Sequence, residues 1–161
     1  MKRSILSVMG AALLISCVFG CGDPLAEDYA KLNETNMQKM AGFYSMYHSL
    51  NDHKGPKDEA EFKAFLNSPD RAPNFKVMGV DPATIDDIFV GRDGKPYKIR
   101  YGIAGSPGGS DKPVVFEVDG LDGIRQVGFT SRMVREPKND AEYDEWMEGN
   151  FEAPDRNEGR R

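Results

Sequence analysis

The hydrophobic period of this chain changes once, and that change limits what it can become. Across residues 24–53 apolar side chains return at Leu25, Tyr29, Leu32, Met40, Phe43, Tyr47 and Leu50, with Asn36 in the one gap. Beyond Phe89 they return at every second position instead. The first spacing gives a helix with one apolar face, the second gives strands with alternating faces. Together they predict an α+β domain: a long N-terminal helix laid across an antiparallel sheet of three or four strands, with short helices in the middle and at the C-terminus.

The long helix is predicted over 24–53, with Lys31, Glu34, Gln38 and His48 turned to water. It should stop where Gly55 takes a left-handed cap and Pro56 cannot continue the ladder. A second helix over 57–67 carries acids in its first turn and Phe62, Phe65 and Leu66 on one side. Residues 67–74, broken by Pro69 and Pro73, read as a loop. Asp81 and Pro82 then start one or two helical turns. The strands expected are "IFVG", "YKIRYG", "KPVVFEV" and "IRQVGFTSRMVRE", the last a single strand bent at Gly128. Alternation puts Tyr97, Ile99 and Tyr101 on one face, and the helix face of Tyr29, Leu32, Met40, Phe43, Tyr47 and Leu50 is expected to cover it. Asn139 or Asp140 caps a last helix, "AEYDEWMEG", and 151–161 should form a frayed polar tail.

The start of the chain carries an address. Lys2 and Arg3 precede an uncharged run to Gly20, and Asp23 is the first acid, which is the layout of a secretory signal over 1–20. The run is shorter than the ~20 residues of a membrane-spanning helix. Its end resembles the lipobox of bacterial lipoproteins, whose cysteine is acylated, with palmitate among the usual chains. "LISC", ending at Cys17, fits the pattern letter by letter, whereas "VFGC", ending at Cys21, lies where the apolar run gives way to Gly22 and Asp23. Cys21 is the expected lipidation site because it leaves no greasy stub.

If Cys21 is acylated, the chain beyond it has no other thiol, which excludes a disulfide framework, a cysteine-ligated metal and a thiol nucleophile from that part. Residues 21–150 are enough for one domain and too few for two. Without Lys2 and Arg3 the net charge moves from −5 to −7. Nucleic acid demands a cationic stripe, so it is not an expected partner. Membrane attachment would rest on the acyl chains, since an acidic exterior is repelled by anionic headgroups.

The run "GRDGKPYKIRYG", from Gly91 to Gly102, poses the question of chemistry. A Walker-type phosphate loop ends Gly-Lys-Ser/Thr and opens a helix; here Gly94 and Lys95 meet Pro96, which lacks an amide hydrogen, and then a strand. A hairpin corner is left, in which Gly94 should need positive φ. "AGSPGGS" approaches the Gly-x-Ser-x-Gly nucleophile elbow, but Ala104 replaces the first glycine and a strand follows. His48 and His53 lie five apart, not the four that zinc ligands on a helix need, and read as solvent-exposed bystanders. The aromatic and methionine residues Tyr29, Met40, Phe43, Tyr44, Met46 and Tyr47 read as core at helical spacing. The acids of "KDEAE", "IDD" and "EYDE" occupy first turns and outer faces. No catalytic residue, metal ligand or cofactor is assigned.

"RDGKPYKIRYG" resembles the Asp-x-x-Gly-x-Pro-Tyr segment that opens the β-sheet of type II secretion major pseudopilins. It is closer still to the "RDGKPY" corner of planctomycete-type lipoproteins sharing that headpiece. "NMQKMAGFYSMYHSLNDHKGPKDEAEFKAFL" is similar to the family's long helix and the short one after it, and "PVVFEVDGLDGIRQVGF" extends the likeness, from Asn36 to about Trp146. Pseudopilins start with a hydrophobic stalk cut by a prepilin peptidase; this chain has a lipoprotein signal there, so the family's route to a filament is closed. The resemblance also implies calcium in a β-region loop, for which Asp119, Asp122 and Glu117 are the candidates, against a plain turn with Gly120 and Gly123 at positive φ. The expectation is a non-enzymatic, lipid-anchored protein of the cell envelope, facing the periplasm or exterior, whose headpiece binds or scaffolds another envelope protein. The alternative is a calcium-stabilised accessory of a secretion or pilus-like machine.

Overall fold

The computed structural model describes residues 33–105 and 111–151. The residues read as a signal, Cys17, Cys21, Leu25, Tyr29, Lys31, Leu32, both serines of "AGSPGGS" and residues 152–161 lie outside them. Four α-helices are described, α1 (Asn36–Leu50), α2 (Glu59–Leu66), α3 (Ala72–Met78) and α4 (Asp140–Glu148). The strands β1 (Lys98–Ile99), β2 (Pro113–Phe116), β3 (Val127–Phe129) and β4 (Val134–Arg135) form one antiparallel sheet in the order β1-β2-β3-β4. The α+β reading holds.

The long helix is shorter than its period suggested. Thr35 is extended at φ −100°, ψ 155° and starts α1 afresh: its hydroxyl accepts from the Gln38 amide while the Gln38 side chain accepts from the Thr35 amide. That reciprocal cap satisfies two orphan donors and marks a true N-terminus. The Asn36 side chain donates to the Asp87 and Val90 carbonyls and ties this end to the start of the sheet. At the other end Asp52 and His53, not Gly55, take the left-handed backbone. Gly55 has a different task, since a Cβ there would sit 2.4 Å from the Ile103 carbonyl oxygen.

Two further segments depart from expectation. The proline-broken loop is a 3-10 turn, Pro69–Arg71, running into α3, because both prolines fall in first turns, where a missing N–H is harmless. The strand expected across 124–136 is two strands, folded at a turn where Arg132 has φ +73°. Pro82–Phe89 is helical as read, capped by Asp81, and of "IFVG" only Val90 pairs, with Pro96.

The sheet is covered on both faces. On one, α1 crosses β2, β3 and β4. Gly128 permits this close approach, since a Cβ there would lie 3.0 Å from the Met37 sulfur and 3.2 Å from the Ala41 methyl. Met37, Met40, Phe43, Tyr44 and Tyr47 join Phe62, Leu66, Phe75, Phe89, Tyr97 and Val115 in the larger core. A bulge in β2 between Pro113 and Val115 accompanies the entry of both Val114 and Val115 into it. Tyr97 joins this core as expected and Ile99 and Tyr101 sit half-buried at its margin, while the central strands receive most of the helix.

On the other face α4 packs Tyr143 and Trp146 against Phe116, Val127 and Phe129. Phe151, placed by its sequence neighbours in the polar tail, closes this cluster with its ring 4.6 Å from Phe129 and 5.4 Å from Trp146. All of β2 is buried for this reason.

Candidate functional site

The Gly91–Gly94 corner is a tight turn, with the Gly94 amide donating to the Gly91 carbonyl and the Gly91 amide to that of Lys95. Gly94 has φ +72°, as a turn of this kind requires, and nothing crowds its missing Cβ. The charged residues of the corner all reach sideways to the loop between β2 and β3.

Arg92 forks onto Glu117, its Nε 2.8 Å from Oε1 and its Nη2 2.8 Å from Oε2. The Glu117 side chain is wholly buried and also accepts from the Gln126 amide at 2.8 Å. A carboxylate can be buried here because four donor contacts, counting the Arg92 amide at 3.3 Å, surround it. Arg92 further donates to the Ile124 carbonyl, and Tyr143 donates its hydroxyl to the Glu117 carbonyl at 2.7 Å.

Asp93 performs the matching task on the other side of the turn. One oxygen accepts from the Lys95 amide at 3.0 Å, the other from the amides of Asp119 and Gly120 at 2.8 and 3.1 Å. Burial pushes its carboxyl up, but the backbone donors prevail and hold it below the usual carboxylate value. Lys95 pairs with Asp119.

The candidate calcium ligands are thereby engaged: Glu117 by Arg92, Asp119 by Lys95. Asp122 sits at the loop tip with φ +53°, next to Gly123 at +78°, and Leu121 and Ile124 exchange both backbone bonds around them. This is the two-residue hairpin that Asp-Gly favours. Among the described residues no cluster of three or more His, Cys, Asp or Glu could hold a metal ion.

His48 overturns the sequence reading. It is only 4% exposed, with Nε2 2.8 Å from the Ile103 carbonyl and its ring edge-on to Tyr44. Burial lowers its pKa. The close approach of Gly105, where a Cβ would fall 2.6 Å from Nδ1, puts the ring beneath a loop distant in sequence, which spacing along α1 could not reveal. His53 is exposed, so the two do not converge on a ligand.

What the clasp holds out is apolar. Leu121 and Ile124, flanking the Asp-Gly tip, are 49% and 52% exposed. Sequence reading passed over them while weighing the acids between them. The available signal was two apolar residues on either side of a two-residue turn, outside the strand alternation. No family model matches this chain, and neither do any curated proteins or solved structures.

Proposed function

We propose that this protein is a lipid-anchored, non-enzymatic component of the cell envelope, acylated at Cys21, whose headpiece docks another envelope protein through the Leu121 and Ile124 tip. The observation that carries the docking role is the clasp beneath it. Arg92, Asp93, Lys95, Glu117 and Asp119 are engaged in holding one hairpin rigid, which leaves no free acid–base pair at the corner and two apolar side chains in solvent. A rigid apolar projection loses little entropy on binding. The pilin-headpiece likeness belongs to the same proposal, supported by a capped helix preceding an antiparallel meander that opens at "RDGKPY".

The test uses the acylated protein in detergent-solubilised membranes. A Leu121→Ser, Ile124→Ser double variant should lose partners captured by the parent protein while melting at the same temperature. Capture of the same partners by the variant overturns the tip as the docking site. Intact-mass analysis decides the anchor: an unmodified chain, or one starting at Cys17, overturns acylation at Cys21. A rise in melting temperature with calcium would show that the loop is a metal site and not a plain hairpin.

A further inference from the structure

A cavity of about 200 Å³ opens where α1 and α3 lie beside the β3–β4 turn. Arg132 from the turn, Ser45 from α1 and Asn74 from α3 give it polar walls, and Met46, Val77 and Met78 give it an apolar one. Among the described residues no carboxylate lines it. Val77 is 59% exposed, and Leu50, one turn beyond Met46, is 54% exposed although the helical period puts it on the apolar face. The apolar wall therefore continues past the rim.

Arg132 distinguishes this cavity from a packing gap. Arg92 and Arg125 close on carboxylates, Arg100 on two backbone carbonyls, and Arg71 and Arg135 on aromatic rings. Arg132 does none of these. Its Nη2 donates to the Asn33 side-chain oxygen at 3.3 Å and to the Met78 sulfur at 3.7 Å, while Nε and Nη1 find no acceptor among the described residues. The turn nevertheless holds the side chain in place. Its backbone takes φ +73°, a conformation that favours glycine, and Asp111 fixes the turn by accepting from the Ser131 amide at 3.0 Å and the Ser131 hydroxyl at 2.6 Å. Asp111 thus serves the turn and not the guanidinium. On the helix side Gly42 makes room, since a Cβ there would fall 3.4 Å from Nη2 and 2.5 Å from the Met78 methyl. The half-buried Ser45 hydroxyl and Asn74 amide bring further donors to the same space.

We propose that this cavity binds a small carboxylate bearing a branched apolar group, the carboxylate on Arg132, Ser45 and Asn74 and the apolar group against Met46, Val77 and Met78. The sign follows from the lining. A guanidinium stays cationic and takes a carboxylate through two parallel bonds, and in a chain of net charge −5 only such a local group can draw an anion in. The size follows from the volume. Drug-sized ligands fill roughly 300–1,000 Å³, whereas an apolar cavity of about 150 Å³ already holds benzene, so a ligand of about eight non-hydrogen atoms fits here. An inorganic oxyanion would leave the apolar wall uncovered. A free short-chain acid and the C-terminal leucine of a peptide both offer the required chemistry.

The test is a titration of the full-length protein, labelled with carbon-13 at its methionine methyls, in non-ionic detergent. Added 4-methylpentanoate should shift the Met46 and Met78 resonances and leave Met133 unmoved, with a dissociation constant on the order of 1 mM, as ordinary ligand efficiency gives for a molecule of this size. Acetate, which lacks the apolar group, and 4-methylpentanamide, which lacks the charge, should each bind at least about tenfold more weakly. Arg132→Asn, a residue that tolerates the left-handed backbone, should weaken binding by about the same factor. Val77→Asp, at an exposed position, should do so too by setting a carboxylate beside the ligand's own, with the melting temperature unchanged. Ala-Ala-Leu with a free C-terminus, compared with its C-terminal amide, separates the two sources: tighter binding of the free peptide than of 4-methylpentanoate assigns the site to peptide ends, and weaker binding assigns it to free acids. Equal affinity for the amide or for inorganic phosphate overturns the proposal, as does binding that survives Val77→Asp or an absence of shifts at Met46 and Met78. Neither the anchor nor the Leu121 tip enters this measurement, so it can fail without the docking proposal.

Discussion

The corner clasp and the body of α1 grip the same sheet by opposite means. At the clasp, a wholly buried carboxylate and a second, bonded one are matched donor by donor, and most of the binding groups come from residues more than twenty positions apart. Along α1, Met37, Met40 and Phe43 are buried by shape and area alone. An apolar face tolerates approximate matches and can remain partly uncovered, as Leu50 shows. A buried ion pair tolerates neither, because every unmatched group costs its full desolvation.

The largest expected effect lies on the helix side. Phe43 is fully buried, 5.3 Å from the Phe75 ring, and truncating it to Ala should cost about 3–5 kcal/mol. Leu50→Ser on the same helix should stay within about 0.5 kcal/mol. Denaturant melts of the two variants measure the difference; equal losses would mean that Leu50 is covered. Next comes Glu117→Ala at the clasp. One buried partner is removed, but the Arg92 side chain is 28% exposed and can turn to water, so about 2–3 kcal/mol is expected, less than for a fully enclosed pair. The same variant should speed amide exchange at Ile124 and Gln126, which a purely apolar loss at Phe43 should not do selectively. Gly94→Val follows, at about 1–2 kcal/mol. Its cost is conformational, since open space surrounds the site but φ is +72°. An unchanged melting curve would show that the corner can relax without the glycine.

The same contrast explains what could be read in advance. Period and caps are local, so α+β class, the core role of Phe43 and Tyr47, the Asp81 start and the Gly94 turn were all legible. Some failures came from one local signal hiding another, and the rest from a local rule that met a distant partner. Thr35 and Gln38 formed a capping box inside an apolar period that seemed continuous. Pro69 and Pro73 broke nothing, because each fell in a first turn. His48 looked outward along its own helix until residues 103–105 covered it. The clasp was the least legible feature: pairing Arg92 with Glu117 requires knowing that the corner and the β2–β3 loop share one end of the sheet.

Acid separates the two regions, and the signs follow from proton linkage. His48 is buried with its pKa below the ordinary 6.5, burial being the main cause, so the unfolded chain takes up the proton first as pH falls. Stability contributed by neutral His48 is complete above about 6.5 and is lost progressively below it, down to the lowered native value. Asp93 is also held below its ordinary value of 3.8, but as an anion. Its contribution stays complete until pH approaches 3.8 and is lost only below that. Melting temperature against pH should therefore fall in two stages, the first from the α1 side and the second from the clasp. His48→Gln, which keeps a donor toward the Ile103 carbonyl, should flatten the first stage and leave the second. Asp93→Asn should do the reverse. A first stage that survives His48→Gln would mean that the buried ring is not what titrates there.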